Sequence, residues 1–162
     1  MLPVFPIALA LFGAPPLPSA CSVMTKAEAQ VYLGQPVLQA VPEAPEPDED
    51  TGSIHTSCTF SGRGRALVIS IDEFPSAEAA LKTMTAEYLK SQNAGEDGGP
   101  PPKIEPEAGL GDRGYYSQAS YAAAVMMVKG ARAYAAALGG TPPAPGDRAA
   151  LRKIVLAVAG KM

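Results

Sequence analysis

Cys21 and Cys58 are the only cysteines in a chain of 162 residues. The first directly follows an apolar leader, and the second lies just inside the first strand-like segment. In an oxidising compartment a lone pair of this kind points to one structural disulfide, tying the start of the domain to a strand. The pair therefore constrains compartment and fold together, and it names no function.

The leader reads MLPVFPIALALFGAPPLPSA, and the first charged side chain is Lys26. Its apolar run from Leu2 to Ala14 is about 13 residues, which fits a signal-peptide h-region and is too short to span a bilayer. Ser19 and Ala20 are small enough to end a signal peptide over residues 1–20, while Ala8-Leu9-Ala10 offers an earlier A-x-A site. A basic n-region is missing. Cleavage before Cys21 would leave residues 21–162, a typical length for one domain. No later apolar run approaches 18 residues without a charge or glycine, so no integral membrane span is expected.

Two fates compete for Cys21. A lipoprotein cysteine follows a lipobox with leucine three residues before it, but Pro18 stands there and Leu17 is one position too early. A disulfide needs only an oxidising compartment and Cys58 within reach. Either way the chain is expected outside the cytoplasm, in a periplasm, a cell envelope or the medium. The net charge of −3 lies wholly beyond residue 25 and argues against a nucleic-acid or anionic-membrane partner. The absence of tryptophan also weakens any carbohydrate-stacking surface.

Thr25-Lys-Ala-Glu28 matches a capping box, so a helix is predicted over Lys26–Leu33 with Gly34 as its left-handed stop. Residues 35–53 carry four prolines and the carboxylates of Glu43, Glu46, Asp48, Glu49 and Asp50, and read as a mobile loop. Ser57–Ser61 and Arg65–Ile71 read as strands joined by Gly62-Arg63-Gly64. Both faces of the second are largely apolar, which places it centrally in a sheet. Ser76 caps a helix whose Ala77, Leu81, Met84 and Tyr88 trace one stripe. Residues 93–108, with adjacent glycines and three consecutive prolines, read as a second mobile loop. Arg113–Ser117, Tyr121–Val128 and Arg132–Leu138 are predicted strands. Helix propensity favours Ala131–Leu138, but Gly130 and Gly139 leave too few residues for a stable helix. Asp147 is read as N-cap of a final helix with Leu151, Ile154, Val155 and Val158 on one face. The expected fold is α+β: an antiparallel sheet of about five strands and three helices, in the order α-β-β-α-β-β-β-α, with the helices on one face.

The remaining motifs have plain readings. Gly109-Leu-Gly111-Asp-Arg-Gly114 matches G-x-G-x-x-G, yet Tyr115-Tyr116 favours a strand where dinucleotide binding needs a helix. Asp48-Glu-Asp50-Thr-Gly52 opens like a calcium loop, but Ile54, His55 and Thr56 follow where further ligands belong. His55 is the only histidine, so no His-based zinc site can be built, and no G-x-S-x-G elbow supplies a serine nucleophile. Asp72, Glu73 and Asp112 are the carboxylates that could converge for acid–base work, and Arg63 and Arg65 could bind an anion at a turn. No catalytic, cofactor-binding or metal-ligating set is predicted, no cofactor is expected, and the site residues are Cys21 and Cys58.

From Cys21-Ser-Val-Met-Thr25-Lys-Ala-Glu28 through Gly34-Gln-Pro36, the chain resembles a loose group of exported actinobacterial-type small lipoproteins and secreted domains of unknown function, typified by a Cys-Ser-Leu-Leu-Thr start. Ser57-Cys58-Thr-Phe60 resembles their second cysteine, and Gly109-Leu-Gly111-Asp112 followed by Tyr115 their Gly-Leu-Gly-Asp turn. The resemblance implies a bridged Cys21–Cys58 pair and an α+β fold, and it brings no catalytic residues. The expected role is a non-enzymatic binding or interaction module of the cell envelope, with an envelope protein or small ligand as partner. Its rivals are a carboxylate-based hydrolase-like enzyme and a purely structural envelope protein.

Overall fold

The computed structural model describes residues 16–91 and 100–162, with the side chains of 87–91 excepted. The leader run Leu2–Ala14, the Tyr88 side chain and residues 93–99 of the second expected loop lie outside what is described. The helices are α1 (Ala20–Val23), α2 (Lys26–Leu33), α3 (Ala77–Ser91) and α4 (Asp147–Gly160). The strands are β1 (Gln39–Asp48), β2 (Ser53–Ser61), β3 (Ala66–Glu73), β4 (Lys103–Pro106), β5 (Arg113–Gln118), β6 (Ala122–Lys129) and β7 (Arg132–Gly139). All seven form one antiparallel sheet in the order β1-β2-β3-β7-β6-β5-β4.

This corrects the expected five strands and three helices: the sheet has seven strands, the described residues hold four helices, and the fold is mostly β. Both added strands lie at the sheet's edges, inside segments read as loops. β1 occupies the acidic, proline-rich stretch. An edge strand can face its proline nitrogens away from the ladder, and Pro45 lies in a bulge, where the pairing with β2 shifts between Glu43 and Glu46. β4 follows three consecutive prolines and pairs only with β5.

The capping box forms as its residue types require. The Glu28 amide donates to Thr25 Oγ1 at 3.2 Å, and the Thr25 amide donates to the Glu28 carboxylate at 2.7 Å. Gly34 adopts φ 66° and stops α2. Ser76 Oγ accepts from the Ala79 amide at 3.1 Å at the start of α3. Gly146, rather than Asp147, is the N-cap of α4; Asp147 is the first helical residue, and its carboxylate accepts from the Ala144 amide at 2.8 Å.

Alternation along the strands divides the core. Cys58, Phe60, Leu67, Ile69, Ile71, Val125, Met127, Tyr134, Ala136 and Leu138 point to one face, where α1, α2 and α4 cover them. From α4 the stripe Leu151, Ile154, Val155 and Val158 packs there at no more than 3% exposure. The expectation that all helices share this face is corrected by α3. Its Ala80 packs with Phe74, Val128 and Ala133 on the opposite face, joined by Leu81 and Met84. Both faces of β6 are apolar, Val125 and Met127 on one side and Met126 and Val128 on the other, so this strand needs cover on both.

Cys21 and Cys58 form a disulfide with their Cα atoms 4.9 Å apart. It fastens α1 to the middle of β2. At the opposite edge, Arg148 of α4 reaches Glu105 at 2.8 Å and Glu107 at 2.6 Å and lies 4.4 Å from the Tyr116 ring centroid. Arg152 adds Glu107 at 2.9 Å, so α4 holds β4 and the segment after it.

Candidate functional site

The face opposite α1, α2 and α4 carries the site. Directly paired residues of antiparallel strands point the same way. Strand register therefore aligns Ser57, Ser70, Ala135, Met126 and Tyr115 in one row across five strands. The next row runs Thr59, Val68, Ala137, Ala124, Ser117 and Ile104, all half-buried. Both rows are uncharged and mostly small. α3 packs on this face near Phe74, Val128 and Ala133.

A polar cluster closes the β1 end of these rows. His55 of β2 is paired with Asp72 of β3, and its Nδ1 lies 2.8 Å from Asp72 Oδ1. Its other ring nitrogen faces the Glu43 carboxylate of β1 at 3.9 Å. The Ser57 hydroxyl donates to that same carboxylate. Thr56 Oγ1, on the buried side of β2, donates to the Glu43 carbonyl at 2.7 Å. Burial pushes the Asp72 carboxyl up, against the hydrogen bond from His55. The His55–Asp72 contact fixes the imidazole, while the Glu43 side chain stays 62% exposed and open to a partner.

His55, Asp72, Glu43 and Ser57 thus form one polar cluster. Ser57 donates to the Glu43 carboxylate rather than to His55. β2 is laddered on both edges, by β1 and by β3, with a bulge in the β1 pairing between Glu43 and Glu46. Among the described residues no group of three or more His, Cys, Asp and Glu is placed to hold a metal ion.

The other candidates are dispersed. Glu73 pairs with Arg132 at 3.1 Å, and Asp112 accepts from the Gly130 amide at 2.7 Å, so these two do not join Asp72. Arg65 pairs with Asp147 at 2.5 Å, and the Arg63 amide donates to Gln35 Oε1 at 3.2 Å. The glycine-rich stretch 109–114 leads into β5. Gly111, at φ 50°, leaves only 2.3 Å between the position of an added Cβ and the Val128 carbonyl oxygen. The calcium-like stretch is the β1–β2 hairpin turn, where Asp48 Oδ1 accepts from the amides of Asp50 at 2.9 Å and Thr51 at 3.3 Å. The Thr51 side chain, and then the amides of Asp50 and Thr51, hold the Asp48 carboxyl below its ordinary value. A shallow open groove between α3 and Arg113, lined by Leu81, Lys82 and Thr85, shares no residue with the His55 cluster.

Reading the sequence missed Glu43 and Ser57 as partners of His55. The available signal was the turn-forming Asp48–Gly52 between two segments that can both extend, the mark of a hairpin.

No family model matches the chain, and no curated protein matches it. Among solved structures, the extracellular domain of PknH from Mycobacterium tuberculosis is similar at a TM-score of 0.56 and 12% identity, over 91% of this chain and 100% of that one. No helix among the described residues is long and apolar enough to cross a membrane. At this identity the likeness shows a shared fold alone.

Proposed function

We propose that this chain is an exported binding or interaction module of the cell envelope, which recognises its partner through the sheet face left open by α1, α2 and α4. The observation that carries the reading is the pair of small, uncharged rows ending in the His55–Asp72–Glu43–Ser57 cluster. The Cys21–Cys58 bridge and the likeness to an extracellular domain support export. β1 and its hairpin carry Glu43, Glu46, Asp48, Glu49 and Asp50, and no lysine or arginine lies between residues 27 and 62. This edge therefore complements a basic or hydrogen-bond-donating partner.

Hydrogen exchange with and without a cell-envelope extract tests the reading. The expected result is slowed exchange in peptides of β1 to β3, reversed by high salt because the contact is partly electrostatic. Unchanged exchange there, or protection confined to α2 and α4, contradicts it.

A further inference from the structure

The start of the domain carries more than the cysteine. Leu17 is 5% exposed and Ala20 fully buried, and both belong to the same core cluster as Phe60, Ile69 and Ile154. The Ala20 amide donates to Thr56 Oγ1 at 3.1 Å, and Thr56 passes the contact on to the Glu43 carbonyl at 2.7 Å. The Ser19 carbonyl accepts from the Ser22 amide at 2.9 Å and from its hydroxyl at 2.7 Å, closing the turn of α1. Residues 17–20 are thus part of the fold, joined through Thr56 to the strand that presents Glu43.

Cleavage directly before Cys21 would remove all of this. It would take Leu17 and Ala20 from the core, leave Thr56 without its donor and place a charged amine at the bridged cysteine. A lipid anchor at Cys21 meets a second obstacle. The thioether of a diacylglyceryl group needs the sulfur atom that is already bonded to Cys58.

We infer that Leu17–Ala20 are retained in the mature protein, that leader removal falls upstream of Leu17, and that Cys21 carries no lipid. Removal hydrolyses one backbone amide: a signal peptidase adds water across it, giving a carboxylate on the leader and an amine on the domain. The inference rests on the proposed export for its processing step, and its structural part is independent of export.

Two measurements test it. N-terminal mapping of the exported protein should return a chain starting at or before Leu17. A start at residues 18–21, or a diacylglyceryl adduct on Cys21, overturns the inference. Recovery only inside the cell would instead count against export. In the full-length chain, Leu17→Ala should lower the Tm by roughly 5–15 °C, whereas Val31→Ala, at a position 78% exposed, should leave it nearly unchanged. Equal small shifts for the two substitutions would show that Leu17 is dispensable and overturn the inference by a route that needs no secretion.

Discussion

Replacing both cysteines, as Cys21→Ala with Cys58→Ala, should weaken the domain by a predictable amount. The bridge joins positions 37 residues apart, and the chain-entropy relation for a loop of that size gives about 4 kcal/mol. Cys58 is fully buried beside Phe60, so truncating its side chain adds a packing loss of about 1 kcal/mol. Against a total stability of about 5–15 kcal/mol the change is large. With a urea m-value of about 2 kcal/mol per molar, the midpoint should fall by about 2.5 M. Urea titration followed by circular dichroism measures it, and a reducing agent on the wild type should act in the same direction without the packing change. The loss should be uneven: the bridge encloses α2 and β1, and all of β1 except Ala40 and Asp48 is exposed, so exchange in 39–48 should rise before exchange in β3. A midpoint within about 0.3 M of the wild type, at unchanged m, would refute this reasoning.

Further outcomes follow from single residues. Ile154→Ala, at a fully buried position of α4, should cost about 2–5 kcal/mol in the same titration. Gly64→Ala should cost about 1 kcal/mol, because φ 73° is its only penalty; Gly111→Ala should cost more, because its Cβ would also strike the Val128 carbonyl. The Glu28 carboxyl is held down to about 2 by its hydrogen bond to Lys161 and then by those to Thr25. Its folded value lies below its unfolded one, so its contribution is present above about pH 4.5 and lost as pH falls toward 2. With 44% of that side chain exposed, solvent screening limits the effect to about 1 kcal/mol or less. Glu28→Gln should accordingly flatten the Tm-against-pH curve between those limits.

Local signals were the legible ones. Thr25 and Glu28 announce α2 through bonds three residues apart, and Gly130 and Gly139 bound a strand that alanine content would have made a helix. The edges were hidden because their causes are distant in sequence. β1 is held by Ser57 and Thr56 on its carboxylate and carbonyl, and β4 by the α4 residue Arg148, more than 40 positions away. Proline and acid content in those segments reported only local reluctance to pair. The site followed the same rule. His55 stood out as the sole histidine, but its partners come from two neighbouring strands, and only register places Asp72 beside it. α3 was legible as a helix; its choice of face was settled by the second apolar face of β6.

The most direct test of an exported, bridge-stapled sheet is peptide mapping without reduction, on protein recovered from outside the cytoplasm of the producing cell. A Cys21–Cys58 linked peptide in that fraction is the predicted result. Free thiols at both positions, or protein found only in the cytoplasm, would contradict it.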